Sequence, residues 1–309
     1  MCQLFIPWLL VVLLIASIIL LFFKRLWWLS IVLVIVVLLL NCRYEVVAFN
    51  LSIQKESDDV LKVMTWNIDG SSPTILDNIN KISQKIRQEN TDVVFIAEDF
   101  YQCCDVLDIL LKPVYPFTTH IVCNDSHYFY SKYPLSKSEW IGKEIDPLSC
   151  IIECYVDIEG QKIALYGCHL SCNNYSGGKE NLRAEQIHGF SSLLLYLQNV
   201  DFSSQLREEE CGFIANRVDF NTLTFIMGDM NDVAGSPALR ILGTLGYKNA
   251  WWKGGSGYGA TIHSPVPYRI DHILYRQGLK GLKLNSIKKI DAEGLSDHDA
   301  LVAEFIFEK

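Results

Sequence analysis

The sequence predicts an α/β domain with mixed β-sheets, carried behind an apolar N-terminal anchor. Three observations predict it. From residue 60 onward, short β-branched or aromatic runs alternate with segments of helical period; the Glu159-Gly160 turn joins two strands directly; and residues 4–40 are almost wholly apolar. Strands interleaved with helices imply parallel pairs, whereas a strand-turn-strand hairpin requires an antiparallel one, so the sheets are expected to be mixed. At least eight strands are too many for one small sheet and fit two sheets packed face to face.

Strands are expected at 60–66, 92–97, 120–130, 149–158, 161–169, 222–228, 270–275 and 301–307, and helices at 74–90, 102–111, 180–199 and 236–245. The polar stretch 201–221, with Arg207-Glu208-Glu209-Glu210, reads as an exposed loop, and the glycine-rich segment 253–259 as another.

The leader is read as residues 1–41 forming a membrane anchor of two transmembrane helices, followed by a polar linker over 42–59 and a catalytic domain over 60–309. Leu4 to Phe23 is an apolar run interrupted only by Pro7 and Ser17, about 20 residues, which at about 1.5 Å per residue matches a bilayer core. After Lys24-Arg25, Leu26 to Leu40 forms a second run beginning with Trp27-Trp28, aromatic residues favoured at the interface. Placing Lys24-Arg25 in the cytoplasm puts the catalytic domain on the extracytoplasmic side of the membrane. A cleaved signal peptide is the competing reading, but Val36 to Leu40 followed by Asn41-Cys42-Arg43 lacks the small-residue cleavage pattern.

The chain has 309 residues and a formal net charge of −8. The leader holds a local +2, which leaves −10 on the remainder. That is a poor footprint for duplex DNA, whose binding draws on phosphate neutralisation by a basic face. Ten cysteines occur, but spacings such as Cys150-x3-Cys154 and Cys168-x3-Cys172 fit no zinc-finger pattern. In an oxidising compartment one or two disulfides are expected among them.

Carboxylates, amides and histidines collect at the ends of the expected strands: Asn67, Glu98, His169, Asp229 with Asn231, Asp271, and finally Asp297-His298. One Asp or Asn after a strand is most often a turn residue that satisfies nearby backbone groups. Six such placements in series imply that the strand ends converge on one site. The oxygen-rich set suits a hard divalent cation, Mg²⁺ or Mn²⁺, better than zinc, with Asn67, Glu98 and Asp297 as the candidate ligands.

In this order the motifs resemble the endonuclease/exonuclease/phosphatase superfamily, which includes pancreatic deoxyribonuclease, abasic-site endonucleases, neutral sphingomyelinases, inositol polyphosphate 5-phosphatases and tyrosyl-DNA phosphodiesterases. The carriers are Thr65-Trp66-Asn67-Ile68-Asp69-Gly70, Ala97-Glu98-Asp99, Ser131-Lys132-Tyr133-Pro134, Gly167-Cys168-His169-Leu170, Gly228-Asp229-Met230-Asn231-Asp232, Arg269-Ile270-Asp271 and Ser296-Asp297-His298. The resemblance implies a four-layer α-β-β-α sandwich over about residues 60–309 and metal-assisted attack of water on a phosphoester. It further implies that Asp229 deprotonates the water, Asn231 and His169 contact the phosphoryl oxygens, and His298 is oriented by Asp271. One departure is Ala97, where the family often has Gln before the metal-binding glutamate.

Several residues are weaker candidates. Asp69 serves the site or shapes its own turn; Arg269 touches substrate phosphate or forms a structural pair. His120, His127, His188 and His263 read as ordinary loop or helix residues, and Trp251-Trp252 as core. The Thr65–Gly70 motif is most similar to tyrosyl-DNA phosphodiesterases, but the anchor and acidic charge favour a lipid-linked phosphate or diphosphate. Membrane phosphatases linked to glycopeptide resistance, which act on undecaprenyl diphosphate, share this layout. A nuclease acting on nucleic acid through a local track of Lys132, Lys137, Lys143 and Lys179, and a catalytically inactive binding module, are the alternatives.

Overall fold

Two apolar helices open the chain, α1 (Ile6–Leu21) and α2 (Trp27–Tyr44), in the computed structural model, which describes residues 5–50, 60–99, 104–123, 126–146, 149–173, 189–263, 267–276 and 282–307. Among the described residues α2 is the one helix long and apolar enough to cross a membrane, while α1 is a shorter apolar helix of 16 residues. Their relative lengths reverse the expectation from sequence, because α1 ends at Leu21 and α2 continues through Asn41-Cys42-Arg43 to a left-handed cap at Glu45. The two helices pack together, with the Ser17 and Ser30 hydroxyls 2.8 Å apart between them.

The start of the expected linker is built into the fold. Asn41 donates to the Val47 carbonyl at 2.9 Å and accepts from its N–H at 2.8 Å, and β1 (Ala48–Phe49) pairs with Ser256–Gly257. Residues 51–59, the rest of that stretch, lie outside the described residues.

The domain follows as β2 (Val60–Asn67), α3 (Ile75–Glu89), β3 (Val93–Asp99), α4 (Cys104–Leu111), β4 (Phe117–Val122), β5 (Ser126–Ser131), β6 (Leu135–Trp140), β7 (Cys150–Ile158), β8 (Gln161–His169) and α5 (Phe190–Arg217). It closes with β9 (Leu223–Asp229), α6 (Pro237–Thr244), β10 (Tyr247–Asn249), α7 (Ala250–Gly254), β11 (Ser256–Gly257), β12 (Asp271–Arg276), β13 (Leu282–Ile290) and β14 (Ala300–Phe307). One sheet runs β13-β14-β2-β3-β5-β4 and the other β10-β12-β9-β8-β7-β6. Each holds a single parallel pair, β2 with β3 and β8 with β9, among antiparallel ones.

Burial defines four layers. Phe95, Phe129, Phe225, Met227 and Phe305 interdigitate between the sheets. Ile75, Ile79, Ile82 and Ile86, at helical spacing, lay one face of α3 on the outer side of the first sheet. Cys211 and Ile214 of α5, with Ala238 and Leu242 of α6, cover the second sheet. The expected mixed-sheet α/β sandwich is therefore the observed one.

Two expectations are corrected, and a third is met as far as it is described. The segment 201–221 is not an exposed loop, since α5 runs through it to Arg217. Its charged string misleads because Arg207 and Glu210 turn inward and are buried, serving polar loops rather than solvent. The helix expected over 180–199 is described only from Phe190, because 174–188 lie outside the described residues. The single strand expected over 120–130 is the antiparallel pair β4 and β5, with Val122 opposite Ser126 across the turn.

Cys123, just past β4, is disulfide-bonded to Cys150 at the start of β7, with Cα atoms 6.0 Å apart. The bond ties an outer strand of one sheet to the other sheet. Closing a loop of separation 27 is worth about 3 kcal/mol in the chain-entropy account. Cys123→Ser is expected to lower the thermal unfolding midpoint by several degrees, and the wild type should lose the same increment in reductant; calorimetry with and without dithiothreitol checks both.

Candidate active site

The two parallel pairs build the site. A parallel pair needs a crossover, here α3 and α5, so both strands of each pair end on the same edge. In register, Asn67 stands opposite Ala97, the neighbour of Glu98, and His169 opposite Asp229. Stacking the sheets brings these two edges together, and all six placements read from the strand ends meet there. The position is the one open α/β sheets reserve for ligands, outside the carboxyl ends of the strands.

Backbone geometry sets the side chains. Glu98 (φ 56°), Asp69 (φ 45°) and Asn231 (φ 49°) adopt left-handed conformations, uncommon for residues other than glycine. At Glu98 the β3–β5 ladder shifts register between Ile96 and Asp99, a bulge that re-aims a side chain at the strand end. Gly228 sits at φ +138°, and a Cβ there would lie 1.9 Å from the Cys168 carbonyl oxygen. Gly228→Ala is expected to cost at least about 1–3 kcal/mol from backbone strain alone, measured as a lower urea midpoint, because β8 and β9 would have to part beside Asp229.

Asp229 is buried. Its Oδ1 accepts the Asn231 N–H at 2.7 Å and its Oδ2 the Asn67 amide at 3.2 Å. His298 is almost as buried, with Nδ1 2.8 Å from Asp271 Oδ2 and Nε2 3.8 Å from Asp229 Oδ2. Burial, reinforced by Asp271, pushes the Asp229 carboxyl up to about 6. Burial alone would depress His298, but the carboxylates of Asp271 and Asp229 outweigh it and hold the imidazolium up to about 10. The pair therefore stores an imidazolium beside a carboxylate that is poorly solvated and readily takes a proton.

The other candidates border this pair. His169 Nε2 lies 3.0 Å from Glu98 Oε1. Asn231 uses one amide hydrogen on the Leu170 carbonyl at 2.8 Å, and among the described residues its second meets no acceptor. Asn67 Oδ1 accepts the Asp69 N–H at 3.1 Å. Asp297 is half exposed, with Nε2 of His298 4.0 Å away; burial, then Asp69 and Glu98 nearby, raises its carboxyl.

Glu98, His169 and Asp229 each place a donor atom within 4.8 Å of the other two. Glu98 lies close enough to both Asp229 and Asp297 to raise their carboxyls, a crowding of negative charge against which the expected cation is tested. A hard divalent ion held by Glu98 with Asn67 and Asp297 would relieve it, so the donor set fits Mg²⁺ or Mn²⁺.

The loop carrying His298 is fixed from three sides. The Trp66 indole donates to the His298 carbonyl at 2.8 Å, the Ser296 hydroxyl to the Asn67 carbonyl at 2.8 Å, and the His298 N–H to Ser296 Oγ at 3.0 Å. Asp299, fully buried, accepts from the Ala292 N–H at 2.8 Å and pairs with Lys289 and with His263 at 2.7 Å. Thus His263 is a brace outside the site.

Arg269 is not aimed at the site either. Its guanidinium donates to the carbonyls of Tyr258, Glu45 (2.5 Å) and Val46 (3.4 Å), clamping the end of α2. Trp251 is core, as expected. His188 lies outside the described residues.

Sequence reading missed four supports. Thr261 Oγ1 accepts the N–H groups of Ile270 and Asp271, both at 3.1 Å. His127, buried, sets its ring 5.6 Å from that of His169. Arg207 joins Asp232 (3.2 Å) to the Ser171 carbonyl (2.7 Å), and Glu210 accepts from the Ser171 N–H (3.1 Å). The signal for Arg207 and Glu210 lay in the apolar Leu206, Cys211 and Ile214 around them, which marks a packed helix.

Residues 64–298 match the Endonuclease/Exonuclease/phosphatase family, and the chain belongs to that family of metal-dependent phosphoric ester hydrolases. Solved structures agree at the level of the fold. TDP2 of Caenorhabditis elegans, in truncated form, is similar with a TM-score of 0.57 and 20% identity over 80% of this chain and 97% of that one. TDP2 of D. rerio complexed with single-strand DNA product gives 0.61 and 17% over 80% and 99%. The beta toxin of Staphylococcus aureus gives 0.54 and 17% over 79% and 99%. No curated protein matches the chain in sequence.

Proposed function

We propose that the protein is a membrane-anchored, Mg²⁺- or Mn²⁺-dependent phosphoesterase that hydrolyses a lipid-linked phosphate or diphosphate on the extracytoplasmic face. One observation carries the choice of substrate: the apolar helices dock against segments that adjoin site residues in the chain. Ile6, Pro7 and Tyr44 line a cleft with Val233 and Ala234, which begin two residues after Asn231. Arg269, two residues before Asp271, grips the carbonyls where α2 ends. A site held this close to the anchor reaches lipid headgroups without a long tether.

The chemistry follows from the geometry. Asp229, raised by burial, takes the proton of the attacking water. The free amide hydrogen of Asn231, together with His169, stabilises charge gathering on the phosphoryl oxygens. His298, kept protonated by Asp271, offers a hydrogen-bond donor and a positive charge on the Asp229 side. Glu98, Asn67 and Asp297 would hold the divalent cation, which when bound would supply Lewis-acid polarisation of the phosphoryl oxygen.

The DNA-product complex of the D. rerio protein motivates a second reading, a nuclease. Two of the four lysines meant to serve it, Lys132 and Lys137, are engaged in ion pairs. Lys132 pairs with Asp92 at 3.2 Å, just before β3 and about 20 Å along the strand from Glu98, and Lys137 pairs with Glu153 at 3.1 Å. Lys179 lies outside the described residues.

The test is phosphate release from a long-chain prenyl diphosphate against cleavage of single-stranded DNA, with Mg²⁺ or with EDTA, and Asp229→Asn as blank. Release from the lipid that EDTA abolishes is expected; activity on DNA alone would overturn the proposal. The Cys123–Cys150 disulfide accords with an oxidising compartment. A reporter active only outside the cytoplasm, fused after residue 309, should be active, and a silent, well-expressed fusion would reverse the orientation.

A further inference from the structure

The helix pair is joined by serines at its loop end and carries a groove toward the domain. Ser17 and Ser30 join α1 to α2 through their hydroxyls and through Ser17 Oγ to the Ser30 carbonyl at 3.2 Å, the small-residue contact that lets helices approach closely. Toward the catalytic domain both helices line an apolar groove of about 510 Å³, within the usual range of small-molecule sites. Pro7, Val11 and Leu14 form one wall and Val34, Leu38 and Asn41 the other. Both triplets follow the same i, i+4, i+7 spacing, so each wall is a single helix stripe. The groove stays open because its domain end is pinned: Val46 packs with Ile6 and Leu10, and Arg269 holds the Val46 carbonyl.

We propose that this groove binds the hydrocarbon chain of the lipid-phosphate substrate, a reading that rests on the function proposed above. Three features select that occupant. The walls are apolar and the outer faces of both helices expose large apolar residues, among them Val12, Ile19 and Leu39, so the groove opens to a hydrocarbon surrounding. It runs about 10 Å along each helix, most of a leaflet of about 15 Å. Its floor at the domain end is Tyr258 and Pro267, and Pro267 precedes Asp271 by four residues, at most about 14 Å of chain. One molecule can thus lay its phosphate at Asp229 and His298 and its tail between the helices. Bulk annular lipid has the same tail chemistry but no reason to prefer the groove over the outer faces.

The experiment uses the full chain in lipid nanodiscs with a polyprenyl phosphate bearing a terminal diazirine, and a diazirine phospholipid as comparison. After irradiation, adducts are mapped by peptide mass spectrometry. The expected result is at least tenfold enrichment of the prenyl probe on Leu14, Val34 and Leu38 over Val12, Ile19 and Leu39, competed by unlabelled prenyl diphosphate. Equal labelling of both faces, or equal enrichment of the phospholipid, means annular lipid only and overturns the proposal. In parallel, Val34→Trp should lower kcat/KM at least tenfold for a long-chain prenyl diphosphate and leave a water-soluble aryl phosphate unchanged, with Leu39→Trp as the outward control. A loss on both substrates, or on neither, also counts against the groove. If the protein cleaves DNA and no lipid phosphate, the functional reading fails, while the labelling pattern still decides whether the groove holds a chain.

Discussion

Asp229→Asn is expected to reduce phosphoester hydrolysis by at least about 10³-fold while leaving the protein folded and no less stable. A positioned general base contributes roughly 10²–10⁴-fold, and Asp229 also accepts from Asn231 and Asn67, so its loss disturbs more than one contact. The stability half of the prediction separates catalysis from architecture. Burial and Asp271 raise the Asp229 carboxyl to about 6, which means that the fold makes its charge costlier than in the unfolded chain, while the carboxylate still prevails at neutral pH. Asparagine removes that charge and keeps an oxygen for the Asn231 N–H, at the loss of the 3.2 Å acceptor for the Asn67 amide. A thermal midpoint equal to or above that of the wild type, with activity gone, is the expected pair of results. A variant that unfolds early would assign Asp229 to the scaffold instead, and one that retains a tenth of the rate would remove it as the base.

How much of this was legible in the sequence depends on what each residue touches. Asn67, Glu98, His169 and Asp229 were readable because they follow strands that are buried on both faces and therefore appear as continuous apolar runs ending abruptly in a polar residue. Asp271 and His298 were readable only as members of a series, since their meeting joins positions 27 apart. Thr261 left no trace, because a hydroxyl accepting two backbone N–H groups looks like any threonine in a glycine-rich stretch. Arg207 and Glu210 were misread as solvent-facing, since charge is a guide to exposure only when no buried partner exists, and Asp232 and Ser171 supply partners from two other loops. Arg269 was legible as a cation in a motif but not as a clamp on α2, since two of its partner carbonyls, Glu45 and Val46, lie more than 200 residues away. In each miss the deciding contact joins residues that are not neighbours in sequence, from about ten to more than 200 positions apart, and one-dimensional pattern carries almost nothing about such contacts.

Asp271→Asn carries the other large expected effect, a rate loss of roughly 10²–10⁴-fold, comparable to that of removing the carboxylate from other Asp-His pairs. Two roles of Asp271 are entangled in the wild type. It orients the His298 ring through the 2.8 Å contact with Nδ1, and its charge is the leading influence holding the imidazolium up against burial. Asparagine can keep the first role, because its oxygen still accepts from Nδ1–H, but it gives up the second. His298 should then titrate well below about 10, read from the imidazole proton resonances, and become neutral in the range where the wild type is charged. Thr261→Val is the counterpart, since it removes the acceptor of the Asp271 N–H without touching the charge. It should loosen the geometry and cost far less rate, with the His298 titration nearly unmoved. If Asp271→Asn shifts the titration but spares the rate, the positive charge on His298 is dispensable and Asp271 is a structural partner. If both variants cost the same rate, orientation rather than charge is what the pair contributes.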